Sequence, residues 1–399
     1  MTNAFPIDLR PDYDAIVVGA RCAGASTAML LARAGLRVLA VDREPEGSDA
    51  LSTHALMRGG ALQLARWGLL HRLAAAGTPA IRTATFHYAG EALPLAVKPR
   101  DGVDALYAPR RTVLDPLLVE AARAAGAQVV HGVTLLDLVR DATGRVCGAV
   151  LAGAGPGAAA TVRARLVIGA DGLRSRVARL AGAPVARLGA AETGVVYGHW
   201  CGLPADGYHW YYAPGVSAGA IPTNAGRTCL FVAVPPRRLL AALPGGLPDL
   251  YRAVVAEAAP ELAPALPDAH LDARLRAFPG ARGVLRRAHG PGWALVGDAG
   301  FFRDPLTAHG ITDALRDAEL LARAVVAGGE AALDGYEAAR DGVAHGILEV
   351  TDRIASFEWD LDEVRRQHQL LARHMAAEVD LLLGLGAAAA PPPGLARAG

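Results

Sequence analysis

The chain has 399 residues, enough for two or three domains at about 150 residues each. Its 40 basic and 39 acidic side chains leave a formal charge of +1, which gives no reason to expect a nucleic-acid or strongly acidic partner. Cys22, Cys147, Cys201 and Cys229 are scattered without metal-like spacing, the N-terminus lacks a secretory pattern, and no apolar run reaches membrane-spanning length, so a soluble cytoplasmic protein is expected.

Asp14 to Val18 reads as a short buried strand, and Gly19 to Gly24, GARCAG, as a glycine-rich turn. The helix that follows carries the small residues Ala25, Ala28 and Ala32 beside Met29, Leu30 and Leu31, until Gly35 stops it. Leu36 to Val41 is a second buried strand, ending on Asp42. This is a βαβ unit of the dinucleotide-binding kind: the turn lets backbone N–H groups approach a pyrophosphate, the helix start adds unpaired donors, and the carboxylate accepts from a ribose. Arg21 stands where GxGxxG has its second glycine, and the sequence leaves open whether it points away or neutralises phosphate.

Beyond the polar REPEGSDALSTH segment, Ala55 to Leu70 reads as a helix capped by Ser52 or Thr53, with His54 assigned to its first turn in preference to a ligand contact. Ala84 to Val97 is a hairpin turning at Ala89-Gly90. Tyr107 to Ala125 returns to helical spacing, and Arg110 and Arg111 at its start oppose the local dipole, which suggests a task such as contacting phosphate or ribose. Gln128–Val130, Leu135–Arg140, Val146–Leu151 and Val162–Ile168 read as strands. The intervening GAGPGAAA is a hairpin loop rather than a second nucleotide site, because too few residues follow it for a helix.

Asp171-Gly172 ends a buried strand, and Ser175 with Arg174 and Arg176 opens a helix. Val195 to Phe278 reads as a sheet region of its own, with Tyr197, Trp200, Tyr208, Trp210, Tyr211 and Tyr212 crowded together; a ligand-facing wall and ordinary sheet packing both remain open. GVSAG matches a nucleophile-elbow pattern, but Ser217 sits in strand, turn and strand rather than strand, turn and helix. Trp293 to Val296 is a further buried strand, Gly297-Asp298 its exit, and Pro305 to Gly310 a turn opening the helix Ile311 to Val326. Helices then run from beyond Tyr336 to about Leu385, and the Pro/Ala-rich residues 386–399 read as disordered.

GARCAG with Asp42, then ADGLRSRV, then GDAGFFRDPLTAHG, in that order, resemble the FAD-dependent oxidoreductases that share the para-hydroxybenzoate hydroxylase fold, over roughly residues 12 to 345. The resemblance implies an α/β architecture: a Rossmann-like FAD-binding domain of the glutathione reductase type from residues 1–83, 104–190 and 280–350, an inserted mainly β substrate domain from 84–103 and 191–279, and C-terminal helices over 351–385. By position Gly19, Gly24 and Asp42 fall to the ADP half of FAD, Arg111 of RTVLDPLL to the cofactor's side, Asp171 to the pyrophosphate and Asp298 to the ribityl chain, with Arg43 and Gly297 as further cofactor-binding residues. Pro305, His309 and Gly310 fall along the flavin ring, facing the helix start that favours an anionic reduced flavin. PLTAHGIT departs from the family's PxxGxGxN at Ala308 and Thr312.

The chemistry implied first is monooxygenation of an aromatic or polycyclic molecule by hydroxylation or epoxidation, through a flavin C4a-hydroperoxide. Dioxygen is then a substrate and NAD(P)H the electron donor, with His309, Pro305, Tyr211 and Trp210 at the reacting centre. Reduction or dehydrogenation of an isoprenoid-like chain is the alternative. Halogenation is disfavoured because Lys98 is the only lysine and HWYYAPG replaces the WxWxIP signature; a noncatalytic FAD-fold protein is disfavoured by the intact cofactor motifs. Covalent FAD attachment through His54 or Cys22, and the oligomeric state, stay open.

Overall fold

A computed structural model describes residue 10 and residues 12–153 and 159–387. The strand Asp12–Val18 is flanked by parallel strands on both sides, Val38–Asp42 and Ala159–Gly169, and Ala15, Ile16 and Val17 are fully buried. An unbroken apolar run is what a strand covered on both faces requires. Gln128–His131 and Trp293–Leu295 extend the parallel set, in the order Gln128–His131, Val38–Asp42, Asp12–Val18, Ala159–Gly169, Trp293–Leu295.

One face carries the helix Cys22–Arg33, packed between Arg111–Ala124 and Gly310–Ala327. Ala25 and Ala28 are fully buried, and their small side chains let both neighbouring helices approach. The other face is covered by the hairpin of Thr134–Arg140 and Val146–Ala152 and by the short helix Arg176–Ala181. Val146–Ala152 pairs antiparallel with Ala159–Gly169, as a hairpin requires; the middle of the GAGPGAAA loop, residues 154–158, lies outside the described residues.

The second sheet runs in the order His270–Leu271, Gly194–Cys201, Arg227–Val234, Val216–Thr223, Tyr208–Ala213, Thr83–Tyr88, Glu91–Ala96, with Arg276–Phe278 also paired to Gly194–Cys201. The early hairpin turns at Ala89 and Gly90, both with positive φ (48° and 93°), the geometry of a tight two-residue connection. It joins the later strands through the parallel pairing of Thr83–Tyr88 with Tyr208–Ala213. One sheet face packs with Leu306, Ala308, Ile347 and Trp359; the other packs on the helix Leu247–Ala258. Ser217 lies buried in the strand Val216–Thr223, followed by a turn and another strand.

Four boundaries differ from expectation. The helix expected over Ala55–Leu70 is Arg58–Arg66 followed by Leu70–Ala75, broken at Gly68 (φ +75°). Neither Ser52 nor Thr53 caps it: Met57 is the N-cap, and Ser52 Oγ accepts from His54 N at 3.0 Å. The helix expected from Tyr107 starts at Arg111, because Arg110 is extended and its N–H donates to Asn224 Oδ1 at 2.9 Å. The last helix, Leu361–Ala387, continues past Leu385 into the segment read as disordered, of which residues 388–399 lie outside the described residues. No described helix is long and apolar enough to cross a membrane.

Candidate FAD-binding cleft

A cleft of about 770 Å³ opens beyond the C-terminal ends of the parallel strands, lined there by Val18, Gly19, Val41, Asp42, Ala170 and Asp171. Ligands of open α/β sheets bind at this edge because helix starts converge on it. Gly19 adopts φ +100°, and a Cβ on it would lie 2.3 Å from Ala170 O; a Cβ on Gly24 would lie 1.7 Å from Gly19 O. Only glycine allows both close approaches. Gly24 therefore shapes the turn from behind, whereas Gly19, Arg21, Cys22 and Ala23 face the cleft. The helix starting at Cys22 has no side-chain cap and no acid in its first turn, so its first N–H groups remain for an anion.

Asp42 accepts from Ala20 N (2.8 Å) and Glu44 N (2.9 Å), tying the glycine turn to the second strand while each oxygen keeps acceptor capacity. Arg43 lines the same end with a largely exposed side chain. Arg21 donates to Ser48 Oγ at 3.2 Å and stays on the lining, so it supplies positive charge at the rim. Asp171 also lines the cleft, but its carboxylate accepts from Ser175 Oγ (2.5 Å), Arg176 N (2.6 Å) and Val177 N (3.2 Å), holding the start of a helix.

Arg111 lines the cleft and pairs with Asp115 at 2.9 Å. Burial works against its charge, and Asp115, Cys22 and Asp298 together more than offset that. Cys22 donates its thiol to Asp115 at 3.2 Å, and burial pushes the thiol far above its ordinary range. A buried, un-ionised thiol is a poor nucleophile, which disfavours Cys22 as an attachment point.

The far wall comes from Asp298, Phe302–Pro305 and Ala308–Ile311. Gly297 (φ +57°) stands behind it and donates its N–H to Asp317 at 3.1 Å. Ala308 is left-handed (φ +52°), and the helix Gly310–Ala327 begins after His309 without a side-chain cap. Asp298 is raised to about 7 by burial and by the neighbouring carboxylate of Asp313. Its protonated form is favoured in the folded state, so the stability it contributes is present below the unfolded value and lost as pH rises toward 7. Asp298→Asn is therefore expected to raise the urea midpoint of the FAD-free protein more at pH 8 than at pH 5; equal gains at both would show that charge is not the cause.

Behind this wall lies a buried charge network. Arg303 pairs with Asp313 at 2.6 Å; Arg316 pairs with Asp313 (2.7 Å), Asp317 (2.8 Å) and Glu378 (2.7 Å). Glu378 also meets His309 Nε2 at 2.6 Å. Burial alone would raise Glu378; His309, Arg316 and Arg303 overcome it and hold the carboxyl below its usual range. His309, Asp313 and Glu378 are close enough together to ligate a metal ion, but Arg316 already bridges the two carboxylates as the cation. Asp313, Arg316 and Asp317 were visible as charges among the apolar positions of one helix; nothing in the sequence pointed to Glu378.

His54 is not in a helix's first turn. It adopts φ +68° ahead of the helix, is 1% exposed, lines the cleft, and places Nε2 2.9 Å from His199 Nε2. The aromatic wall also differs. Of the six crowded aromatics, Tyr197 alone lines the cleft, its hydroxyl accepting from Ser52 N at 3.2 Å. Trp210 shares that sheet face but is covered, packing on Phe231 and Tyr208. Tyr211 points to the opposite face and stacks on His87 at 4.2 Å. Adjacent strand residues must diverge, so Trp210 and Tyr211 could never both face one site.

The glycine cradle, the uncapped helix starts and the arginines that line one cleft suit a dinucleotide and fit FAD. The chain belongs to the FAD binding domain family, whose model matches residues 12–351, and so to a class of FAD-dependent oxidoreductases. It is 29% identical over 329 residues to digeranylgeranylglycerophospholipid reductase 2 of Methanopyrus kandleri, covering 76% of this chain and 74% of that one. It is 32% identical over 183 residues to aklavinone 12-hydroxylase RdmE of Streptomyces purpurascens, covering 42% and 34%. Its fold matches PqsL of P. aeruginosa in complex with 2-aminobenzoylacetate at a TM-score of 0.76 and 22% identity, over 92% of this chain and 100% of that one.

Proposed function

We propose that the protein is an FAD-dependent monooxygenase, a hydroxylase or epoxidase, acting on an aromatic or polycyclic small molecule with NAD(P)H as electron donor. The observation that carries this reading is the apolar part of the cleft lining, Val195, Tyr197, Phe278 and Phe302 together with Pro305 and Ala308. Phe278 and Phe302 meet edge to face at 6.4 Å, and such a compact aromatic lining suits a planar ligand better than a long aliphatic chain. FAD, when bound, supplies the activation of dioxygen.

The chain's own residues position and protect. Arg111 and the helix start at Cys22 hold the anionic part of the cofactor, and the uncapped helix start at Gly310, beside Pro305 and His309, favours negative charge on its far part. The aromatic end excludes water from the reacting region. Neither Ser217, sealed in a strand, nor Cys22, un-ionised, serves as a nucleophile, and this chemistry needs none. Lys98 is not on the cleft lining, which weighs against halogenation.

A second reading, reduction of an isoprenoid-like substrate, is favoured by the match to the Methanopyrus kandleri reductase. Rapid-scan absorbance after mixing anaerobically reduced, FAD-loaded protein with oxygenated buffer separates the two. A transient species unlike either the reduced or the oxidised spectrum supports the monooxygenase. Direct return of the oxidised spectrum, with and without aromatic ligands, supports the reductase. In the first case Tyr197→Ala lowers turnover by about tenfold or more, the effect of losing about 1.4 kcal/mol of positioning, while Tyr211→Phe stays within about twofold.

A further inference from the structure

On the face of the second sheet opposite Tyr197, four polar side chains stand in a row. Glu261 Oε1 meets His87 Nδ1 at 3.1 Å, His87 Nε2 meets His209 Nδ1 at 3.0 Å, and His209 Nε2 meets Asp206 Oδ1 at 2.8 Å. None of the four lines the FAD cleft. The two histidines come from the neighbouring parallel strands Thr83–Tyr88 and Tyr208–Ala213 and share the sheet face of Tyr211, the register partner of His87. Tyr211 stacks on the His87 ring at 4.2 Å and holds its plane.

Each of the three contacts in the row needs a proton within it. An ionised carboxylate only accepts, so the outer contacts require N–H on His87 Nδ1 and on His209 Nε2. Two neutral imidazoles hold one N–H each, and both are then spent. The inner contact is left with two lone pairs facing each other at 3.0 Å, an arrangement that repels unless a cation lies between them. A third proton would serve. Burial, however, holds His87 below the ordinary histidine value, with Glu261 opposing the effect and His209 adding to it, so His87 does not retain that proton at neutral pH. The other close pair escapes the conflict: among the described residues His54 Nδ1 has no partner, which leaves that ring free to place its own proton in the gap to His199.

We propose that His87 Nε2 and His209 Nδ1 bind a divalent metal ion of the zinc class, with Glu261 and Asp206 orienting the two rings from behind. Metal–nitrogen bonds of about 2.0–2.1 Å, at angles between a right angle and the tetrahedral value, place two nitrogens about 2.9–3.4 Å apart, and the observed gap lies in that range. A ligating histidine characteristically donates its other N–H to a carboxylate, which fixes the tautomer and makes the ligating nitrogen more basic; both rings already do so. The ion's two positive charges match the two carboxylates. The side chains of His87 and His209 are 14% and 18% exposed, which leaves room for water to complete the ligand set. Asp206 and Glu261 are exposed enough to follow as each ring turns its lone pair onto the ion. Imidazole ligands select zinc, nickel or copper over magnesium or calcium. Bound there, the ion ties the early hairpin to the Tyr208–Ala213 strand, and through Glu261 to the segment that follows the helix Leu247–Ala258.

Zinc alone is the probe, titrated into chelator-treated, FAD-loaded, full-length protein in competition with a chromophoric chelator. The unaltered protein is expected to take up zinc at this site. Glu261→Ala and Asp206→Ala weaken binding by about tenfold, the low end for groups that orient a ligand, and His87→Gln and His209→Gln, which each remove a ligand, weaken it by about a hundredfold or more. His270→Gln, at an exposed histidine elsewhere on the same sheet, leaves it unchanged. Melting gives a second reading: excess zinc raises the Tm of the unaltered protein and of neither histidine variant at His87 or His209. Flavin absorbance on the same samples shows that each variant is folded and loaded. Zinc affinity that is unchanged in both His87→Gln and His209→Gln puts the ion elsewhere and overturns the site. Failure of the unaltered protein to bind zinc overturns it equally and leaves a shared proton as the only cation in the gap.

Discussion

Gly24→Ala is expected to give protein that purifies with little or no yellow colour. The alanine Cβ would sit 1.7 Å from Gly19 O, and because Cβ is fixed to the backbone no rotamer relieves the overlap. The turn must open, which withdraws the N–H groups of Cys22 and Ala23 from the cleft edge and strains the contact of Gly19 with Ala170. Overpacking of this kind costs about 1–3 kcal/mol or more, equivalent to about a ten- to hundredfold loss of FAD affinity. Gly335→Ala is the matched control: it lies in a helix with open space around it and should leave FAD binding unchanged. Fluorescence titration of FAD into the stripped proteins measures both. Equal affinities for Gly24→Ala and Gly335→Ala would show that the turn is not the pyrophosphate site.

Glu378→Ala should be among the most destabilising single changes in the chain. It leaves Arg316 with an unpaired buried contact and His309 Nε2 without its acceptor, and breaking a buried pair by removing one partner costs about 3–5 kcal/mol. Glu378→Gln keeps the shape and removes only the charge, so it should cost less. The pH dependence has a definite sign. Glu378 titrates lower in the folded state than in the unfolded chain, so its contribution is complete above the ordinary carboxylate range and fades as pH falls through the folded value. Urea unfolding of Glu378→Gln and the unaltered protein should diverge at pH 7 and converge toward pH 3. A difference that stays constant with pH would mean that packing, not charge, holds the site.

The two cases differ in how far the sequence announced them. GARCAG followed by a small-residue helix and Asp42 is a local pattern, and each residue's place is fixed by neighbours within one βαβ unit. The hairpin at Ala89-Gly90 is equally local. Glu378 is remote: it lies 62 positions from Arg316, on a helix whose sequence looks like an ordinary polar surface, and only packing brings the two together. His54 was misread for a related reason. A left-handed non-glycine residue leaves no mark in the sequence, so Ser52, Thr53 and His54 looked like a helix start when Ser52 instead bonds the N–H of a strained His54. The aromatic cluster was legible as a sheet, but alternation gives two faces without saying which one meets the cofactor. Tyr197 lines the cleft from Gly194–Cys201, beside Arg276 and Phe278 of the strand it pairs with, while the Trp210 strand stands three places along the sheet, next to the early hairpin.

That early hairpin pairs in parallel with a strand formed more than a hundred residues later. Until Tyr208–Ala213 has been synthesised, Thr83–Tyr88 keeps an open edge, and exposed strand edges invite pairing with other chains. The cleft's far wall waits longer still, for Glu378 on the Leu361–Ala387 helix. The charge network behind that wall is therefore completed only after nearly the whole chain has been made. A chain cut at residue 370 would retain the glycine turn and the strands of both large sheets yet lack the carboxylate that pairs with His309 and Arg316 behind the far wall, so it is expected to bind FAD more weakly than the full chain in a fluorescence titration.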